Sequence, residues 1–512
     1  MIIPAYVEKN AKLYPDRTAI VFEDRRCSFK ELKGRVYRLA NAFMELGVRK
    51  GDRVAILQEN CFEYPEIILA IGKVGAVAAP LNYRLIGSEL AFLINHAEAN
   101  TLIIGKNFVD RIAPFIPELG TVKSYICIGG KPKGMMDYDK LTTLSPERAP
   151  EAEVGMEDLF CIAYTGGTTG RPKGAMLTHR NLHCACNSAI VEEEIPRGVG
   201  MVVTPLFHVG GIWPLFYNFM LANTVVILRR VDGKLMLETV EREKVNNALW
   251  IAPIINFVLN YPDSEKYDLS SLDLITCGGA ALAPSQLKRL VELLGCRVHP
   301  GGGQTETGNI VSAKVEEQLK NEPETLGAAG RVAYDFELKV VDEQDNDVPP
   351  GEVGELCVMS EAVMKGYWKL PEETAEAMRG GWEHTGDLVR MDEKGYVYYV
   401  DRKIDMIKTG GENVYSEEVE DAIFEHPAVA EVAVIGVPDE KWGEMVKALV
   451  VLNEGQAATE EEIISHCKKR LTGFKCPKSV EFYESLPKTS LNKVAKNVLR
   501  EKYWKGFERR IH

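Results

Sequence analysis

The sequence predicts a large α/β protein with more than one domain: a long multi-subdomain α/β region with a β-rich part, followed by a small α+β domain. Three observations predict it. The chain has 512 residues, several times what one hydrophobic core holds. Apolar runs alternate with helix-period segments between roughly residues 30 and 300. The pattern then changes near Asp401.

The α/β layering rests on runs such as VAIL (54–57) and TVVIL (224–228), set between stretches of helical period such as SFKELKGRVYRLANAFMELG, because strands alternating with helices are the signature of layered α/β folds. Glu337 to Val358 is strand-rich, with turn signals at DEQDND and PPG, so a β-rich subdomain is expected there. After Asp401, EEVEDAIFEH and EEEIISHCKKRL read as helices and VAEVAVIGV and KALVVL as strands. That is a module of ordinary domain size. The expected division is 1–401 and 402–512. No fixed-period repeat or low-complexity tract interrupts it.

Composition narrows the function. The formal charge of −13 disfavours nucleic acid and anionic membranes, which reward basic surfaces. Eleven cysteines without a CxxC pair suit reduced thiols rather than a disulfide framework or structural zinc. MIIPAYVEKN lacks the order of a signal peptide, and the longest apolar stretch, Ile67 to Leu81, is broken by Lys73 and falls short of a membrane span. A cytoplasmic protein with no integral membrane segment is expected. Whether it forms a homodimer is left open.

The most informative segment is YTGGTTGRPKGAM, which follows the apolar run LFCIAY. Tyr164 to Gly174 holds four glycines, three threonines and Lys173. Glycines let a turn present N–H groups to an anion, threonine hydroxyls add donors or a metal ligand, and lysine adds charge, so phosphate is the natural guest. It is not a Walker A loop, since Lys173 follows Pro172 and precedes Gly174. GGGQTE lacks the last glycine of a dinucleotide fingerprint. HRNLHCAC sets His179 and His183 four apart with Cys184 and Cys186 nearby, but without the HExxH glutamate a metal site is disfavoured.

Tyr164 to Met176 resembles the signature loop of the adenylate-forming superfamily. PLFHVGG (205–211), GGGQTETG (301–308), HTGD (384–387), DRKIDMIKTGGENVYSEEVE (401–420) and LPKTSLNK (486–493) resemble its further motifs, in the family's order and across nearly the whole chain. The resemblance implies a mobile C-terminal domain and an AMP-forming acyl-CoA synthetase. Such an enzyme turns a hydrophobic carboxylic acid, ATP and CoA into acyl-CoA, AMP and pyrophosphate through an acyl-adenylate, with Mg²⁺ as cofactor. A fatty acid is favoured. The alternatives are an aryl-acid ligase of the benzoate or cinnamate type, an adenylating enzyme that loads a carrier protein, and a weakened nucleotide-binding pseudoenzyme.

By the same resemblance, Thr165, Gly166, Gly167, Thr168, Thr169, Gly170 and Lys173 hold phosphates. Gly279, Ala280, Gly303, Gln304 and Thr305 complete the nucleotide site, and Asp387 and Arg402 take the ribose. Thr165 and Glu306 meet the metal. Lys493 bridges carboxylate and α-phosphate, and the catalytic set is Lys493, Lys173, Thr305 and Glu306. His208, Trp213, Gly278 and Gly279 line the acyl pocket. Lys408, Gly410, Gly411, Trp442, Phe474, Lys475 and Lys478 meet CoA, and Lys403, Ile404 and Asp405 form the hinge. This sequence departs from the family pattern at Gly302, where a tyrosine usually stacks on adenine, at Ile404, where a polar hinge residue is common, and at Asn492, where glycine usually precedes the lysine.

Overall fold

The computed structural model describes residues 1–512 except 166–171, 263, 280–281, 411, 440, 490–492 and 506–512. Two large sheets build the first part. In one, the strands run in the order Met136–Asp137, Ser124–Ile128, Ala99–Gly105, Arg53–Leu57, Val77–Pro80, Leu159–Thr165 and Lys173–Thr178. Its pairings are parallel except the last, an antiparallel hairpin that sets Thr165 directly across from Lys173. The other has nine strands, with a parallel centre that includes Val199–Val202, Asn247–Ile251, Leu274–Gly278 and Arg297–Gln304.

The layering begins earlier than the sequence pattern suggested. Helix Ile3–Leu13 and strand Thr18–Phe22 precede residue 30, and the strand pairs in parallel with Thr224–Ile227. A five-residue strand whose partner lies about two hundred residues away leaves no local signature. Helix Phe29–Glu45 follows as expected, started by a capping box between Ser28 and Glu31. The apolar stretch from Ile67 to Leu81 divides into the end of helix Tyr64–Lys73 and strand Val77–Pro80. No helix among the described residues is long and apolar enough to cross a membrane. One continuous core ties the two sheets together through Tyr64, Phe160, Phe216 and Phe219, all essentially without solvent exposure.

The β-rich part extends further than Glu337 to Val358. Strands Glu337–Val341, Val353–Met359, Glu383–Met391 and Val397–Arg402 make a four-stranded antiparallel sheet. The following strand, Ile407–Thr409, belongs to a five-stranded sheet with Glu412–Val414, Gly443–Leu452, Val429–Asp439 and Ser479–Phe482. The change of sheet therefore falls between Arg402 and Ile407. Helices Ser416–Phe424 and Glu460–Lys468 cover this last sheet around a separate core that includes Val434, Val446 and Ile463.

Candidate active site

In open sheets with parallel strands, ligands bind beyond the carboxyl ends of the strands. Strands Asn247–Ile251, Leu274–Gly278 and Arg297–Gln304 lie side by side and run the same way. Ile251, Gly278 and GGGQTE therefore meet at one rim. Gly279, at φ +83°, turns the chain there, and a Cβ on it would lie 3.3 Å from Ile251. Gly303 passes so close to the Gly308 carbonyl that no side chain fits.

The phosphate-loop hairpin meets this rim. Glu306, 8% exposed, accepts hydrogen bonds from Tyr367 Oη at 3.1 Å and Thr165 Oγ1 at 3.4 Å. Lys173 Nζ sits 4.9 Å from the centre of the Tyr367 ring, a cation–π distance. Tyr367 thus holds the carboxylate with its hydroxyl and the ammonium with its face. Burial raises the Glu306 carboxyl above its ordinary range, against the hydrogen bonds that favour its charge. Thr305 is buried in the turn before it. Gly166, Gly167, Thr168, Thr169, Gly170, Ala280 and Gly411 lie outside the described residues, as does Asn492.

Asp387 and Arg402 face each other across two antiparallel strands. Arg402 Nε donates to Asp387 Oδ1 at 2.8 Å, and Gln304 Nε2 donates to Oδ2 at 2.6 Å. Asp387 is 4% exposed, and burial raises its pKa against the pull of Arg402. Lys493, from the last domain, stands open to solvent in the cleft, yet close enough to Arg402, Asp387 and His208 for their charges to interact. The protein around it and then Arg402 hold its pKa below the ordinary lysine value.

His208 caps helix Val209–Met220, its Nδ1 accepting from the Gly210 N–H at 3.0 Å. That bond leaves Nε2 as the protonated nitrogen. Burial, and then Lys493, push its pKa down to about 4, and a cation at a helix N-terminus is also disfavoured. At neutral pH it is a neutral hydrogen-bond donor. Trp213, one turn along the same helix, is partly buried between two cores.

Lys403 Nζ pairs with Glu355 Oε2 at 2.9 Å in the four-stranded sheet, whereas Asp405 pairs with Arg500 of the C-terminal helix. Ile404 lies between these ties, one to the four-stranded sheet and the other to the C-terminal helix. Of the residues expected to meet CoA, Gly410 and Trp442 are brought together, the Gly410 N–H donating to the Trp442 carbonyl at 2.8 Å. Lys408 pairs with Glu343 and Lys475 with Glu418, while Lys478 Nζ donates to the Gly473 carbonyl. Phe474 packs partly buried against the C-terminal core. His179 accepts from the Ile3 N–H and His183 bonds to the Tyr6 hydroxyl.

Comparison with known proteins decides the family. The family model for the AMP-binding enzyme matches residues 7–368, and that for the AMP-binding enzyme C-terminal domain matches residues 418–493. The chain belongs to the AMP-binding enzyme family, the adenylate-forming ligases. This family member is 36% identical over 497 residues to a feruloyl-CoA synthase of Amycolatopsis sp, covering 97% of this chain and 98% of the relative. It is 33% identical over 540 residues to a long-chain-fatty-acid–CoA ligase of Escherichia coli O6:H1, covering 96% and 93%. Its fold matches that of the Bacillus subtilis o-succinylbenzoate CoA synthetase bound to its acyl-adenylate intermediate, with TM-score 0.86, 30% identity and 96% and 97% coverage. The same enzyme with ATP and a magnesium ion matches with TM-score 0.84 and 28% identity, over 96% and 98% of the two chains.

Three residues of this ligase's cleft escaped the sequence reading. Tyr367 lies in MKGYW, between strands Val353–Met359 and Glu383–Met391 of the four-stranded sheet, where nothing marks its double contact. Glu383 is 2% exposed, and one of its oxygens has no hydrogen-bond partner among the described residues. Burial and then Glu306 push its pKa up to about 8. Its place directly before HTGD was the available signal. Tyr399, three residues before Arg402, is the third.

Proposed function

We propose that the protein joins a hydrophobic carboxylic acid to the α-phosphate of ATP, releases pyrophosphate, and then passes the acyl group to the thiol of CoA, releasing AMP. The observation that carries this reading is Lys493. It comes from the last domain and lies within charge-interaction range of Asp387 and His208 of the first, and of Arg402 at the boundary between them. A mobile ammonium there neutralises the carboxylate and α-phosphate as they are brought together, and fixed charge aimed at developing charge is the strongest catalytic device available.

In this reading Asp387 and Arg402 take the ribose, and Lys173 the departing pyrophosphate, together with the residue 165–170 loop. Glu306 and Thr165 are hard oxygen donors in hydrogen-bond reach of each other and fit a divalent cation. Bound there, Mg²⁺ would neutralise phosphate charge. Gly278, Gly279, Trp213 and His208 border the acyl group, with the His208 Nε2–H as a neutral donor. Fatty and aryl acids are both compatible with an apolar, glycine-lined wall.

For the second step Lys493 leaves and the thiol enters past Gly410. We take 401/402 as the domain boundary and Lys403–Asp405 as the hinge. The change of sheet at that point supports this, as do the opposite ties of Lys403 and Asp405. Element-terminal residues that absorb backbone rotation are the usual hinges.

The test separates the half-reactions. Lys493→Ala should lower acid-dependent pyrophosphate release about 100-fold or more, yet spare thioester formation from supplied acyl-AMP and CoA. Equal loss of both would overturn the moving-lysine assignment.

A further inference from the structure

Glu383 is a buried acid of the cleft to which the proposed function gives no task. It opens strand Glu383–Met391, paired with Val358 of the neighbouring strand. It is 2% exposed, and its Oε2 is buried with no hydrogen-bond partner among the described residues. Buried carboxyl oxygens are normally paired, and an orphaned one needs a reason.

The surroundings of Glu383 supply that reason. The Met364 N–H donates to the Glu306 carbonyl at 2.7 Å, and the Trp368 N–H donates to the Gly174 carbonyl at 2.8 Å. Tyr367 is thereby fastened between the QTE turn and the phosphate-loop hairpin, its hydroxyl on Glu306 and its ring under Lys173. Glu383 is close enough to Glu306, Lys173 and Tyr367 for their charges to interact. Glu355, also in range, is already held by Lys403 at 2.9 Å and Arg379 at 3.1 Å.

Two buried carboxylates, Glu306 and Glu383, thus share one ammonium, Lys173. Surplus negative charge away from water calls for a further cation. The oxygens on offer are the two carboxylates and Thr165 Oγ1, which lies 3.4 Å from Glu306 Oε1. Mg²⁺ and Mn²⁺ take such a hard set, one or two carboxylates with waters completing the shell. Both carboxylates are in place before any phosphate arrives.

We propose that Glu383 joins Glu306 in a divalent-cation site that the protein fills without nucleotide, so that the cation is held by the chain and not only carried in by ATP. This rests on the proposed function in taking Glu306 and Thr165 as cation donors. A cation shared by the two carboxylates also removes the repulsion between them.

The experiment titrates Mn²⁺ into full-length protein stripped of metal by a chelator and free of nucleotide, with unbound Mn²⁺ read by electron paramagnetic resonance. Wild type should bind one Mn²⁺, and Mg²⁺ should displace it. Glu383→Gln and Glu306→Gln should each weaken binding at least tenfold, since even the outer partners of metal ligands are worth about 10- to 100-fold in affinity. Glu454→Gln, in an exposed turn of the last domain, should leave it within twofold, which separates the site from general surface charge. Thermal melts of each variant confirm that it is folded. No Mn²⁺ bound by nucleotide-free wild type, or an affinity unchanged in Glu383→Gln or in Glu306→Gln, overturns the proposal and leaves the adenylation reading intact. Glu383-dependent Mn²⁺ binding in a protein that releases no pyrophosphate with any acid overturns the proposed function and leaves the cation site standing.

Discussion

Replacing His299 with glutamine should remove a pH-dependent clamp within strand Arg297–Gln304. His299 is fully buried three residues before Gly302, with Nδ1 2.8 Å from Glu193 and Nε2 2.9 Å from Glu316. Glu193 also accepts from Asn309 at 3.0 Å, and Asn309 pairs with Gly303, so the network reaches the rim of the site. Burial opposes the imidazolium, but the two carboxylates outweigh it and push the His299 pKa from 6.5 up to about 9. Because the folded value is the higher one, the stabilisation is complete below pH 6.5 and is lost as pH rises to about 9. Its size is roughly 3 kcal/mol, less what solvent screens at the one-third-exposed Glu316. Urea unfolding of wild type and His299→Gln at pH 6.5, 8 and 9.5 reads it directly. The gap between them should be largest at pH 6.5 and mostly closed by pH 9.5. Parallel stability curves across that range would refute the reasoning.

Glu383→Gln should act in the opposite sense in protein free of nucleotide and divalent cation. Since burial raises this carboxyl to about 8, the folded state loses stability as pH rises from 4.5 through 8, on the order of 4 kcal/mol at the limit. The glutamine variant should therefore melt higher than wild type at pH 9 and nearly level with it at pH 5, and a pH-independent difference would count against the assignment. Tyr367→Phe keeps the ring over Lys173 but removes the donor to Glu306. Pyrophosphate release should slow about three- to tenfold, from the loss of one hydrogen bond to a charged group, and an unchanged rate would show that Tyr367 only packs.

The layered α/β region was legible because helix and strand periods alternate over hundreds of residues. The C-terminal module was legible because its strands are long enough to carry their own pattern. Strand Thr18–Phe22 was not, since its partner is remote in sequence, and the β-rich part was underestimated because HTGD and DRKID were read for chemistry rather than for strands. At the site, motif residues such as Glu306, Asp387, Arg402 and Lys493 do meet around one cleft. What the sequence could not convey was contact between distant segments: Tyr367 gripping both Lys173 and Glu306, Glu383 beside Glu306, and Tyr399 filling the space over Gly302. Each depends on which faces two different sheets turn toward each other, and neither residue type nor spacing encodes that.

One chain should perform both half-reactions on a hydrophobic acid, and a single assay tests this directly. Purified protein incubated with Mg²⁺, ATP and CoA should be given short, medium and long fatty acids, benzoates and cinnamates in turn, and pyrophosphate, AMP and the CoA-thioester mass measured together. At least one hydrophobic acid should yield all three products in equal amounts, with pyrophosphate still released in a single burst when CoA is withheld. ATP bound without pyrophosphate release for every acid, or pyrophosphate released without any thioester, would contradict it.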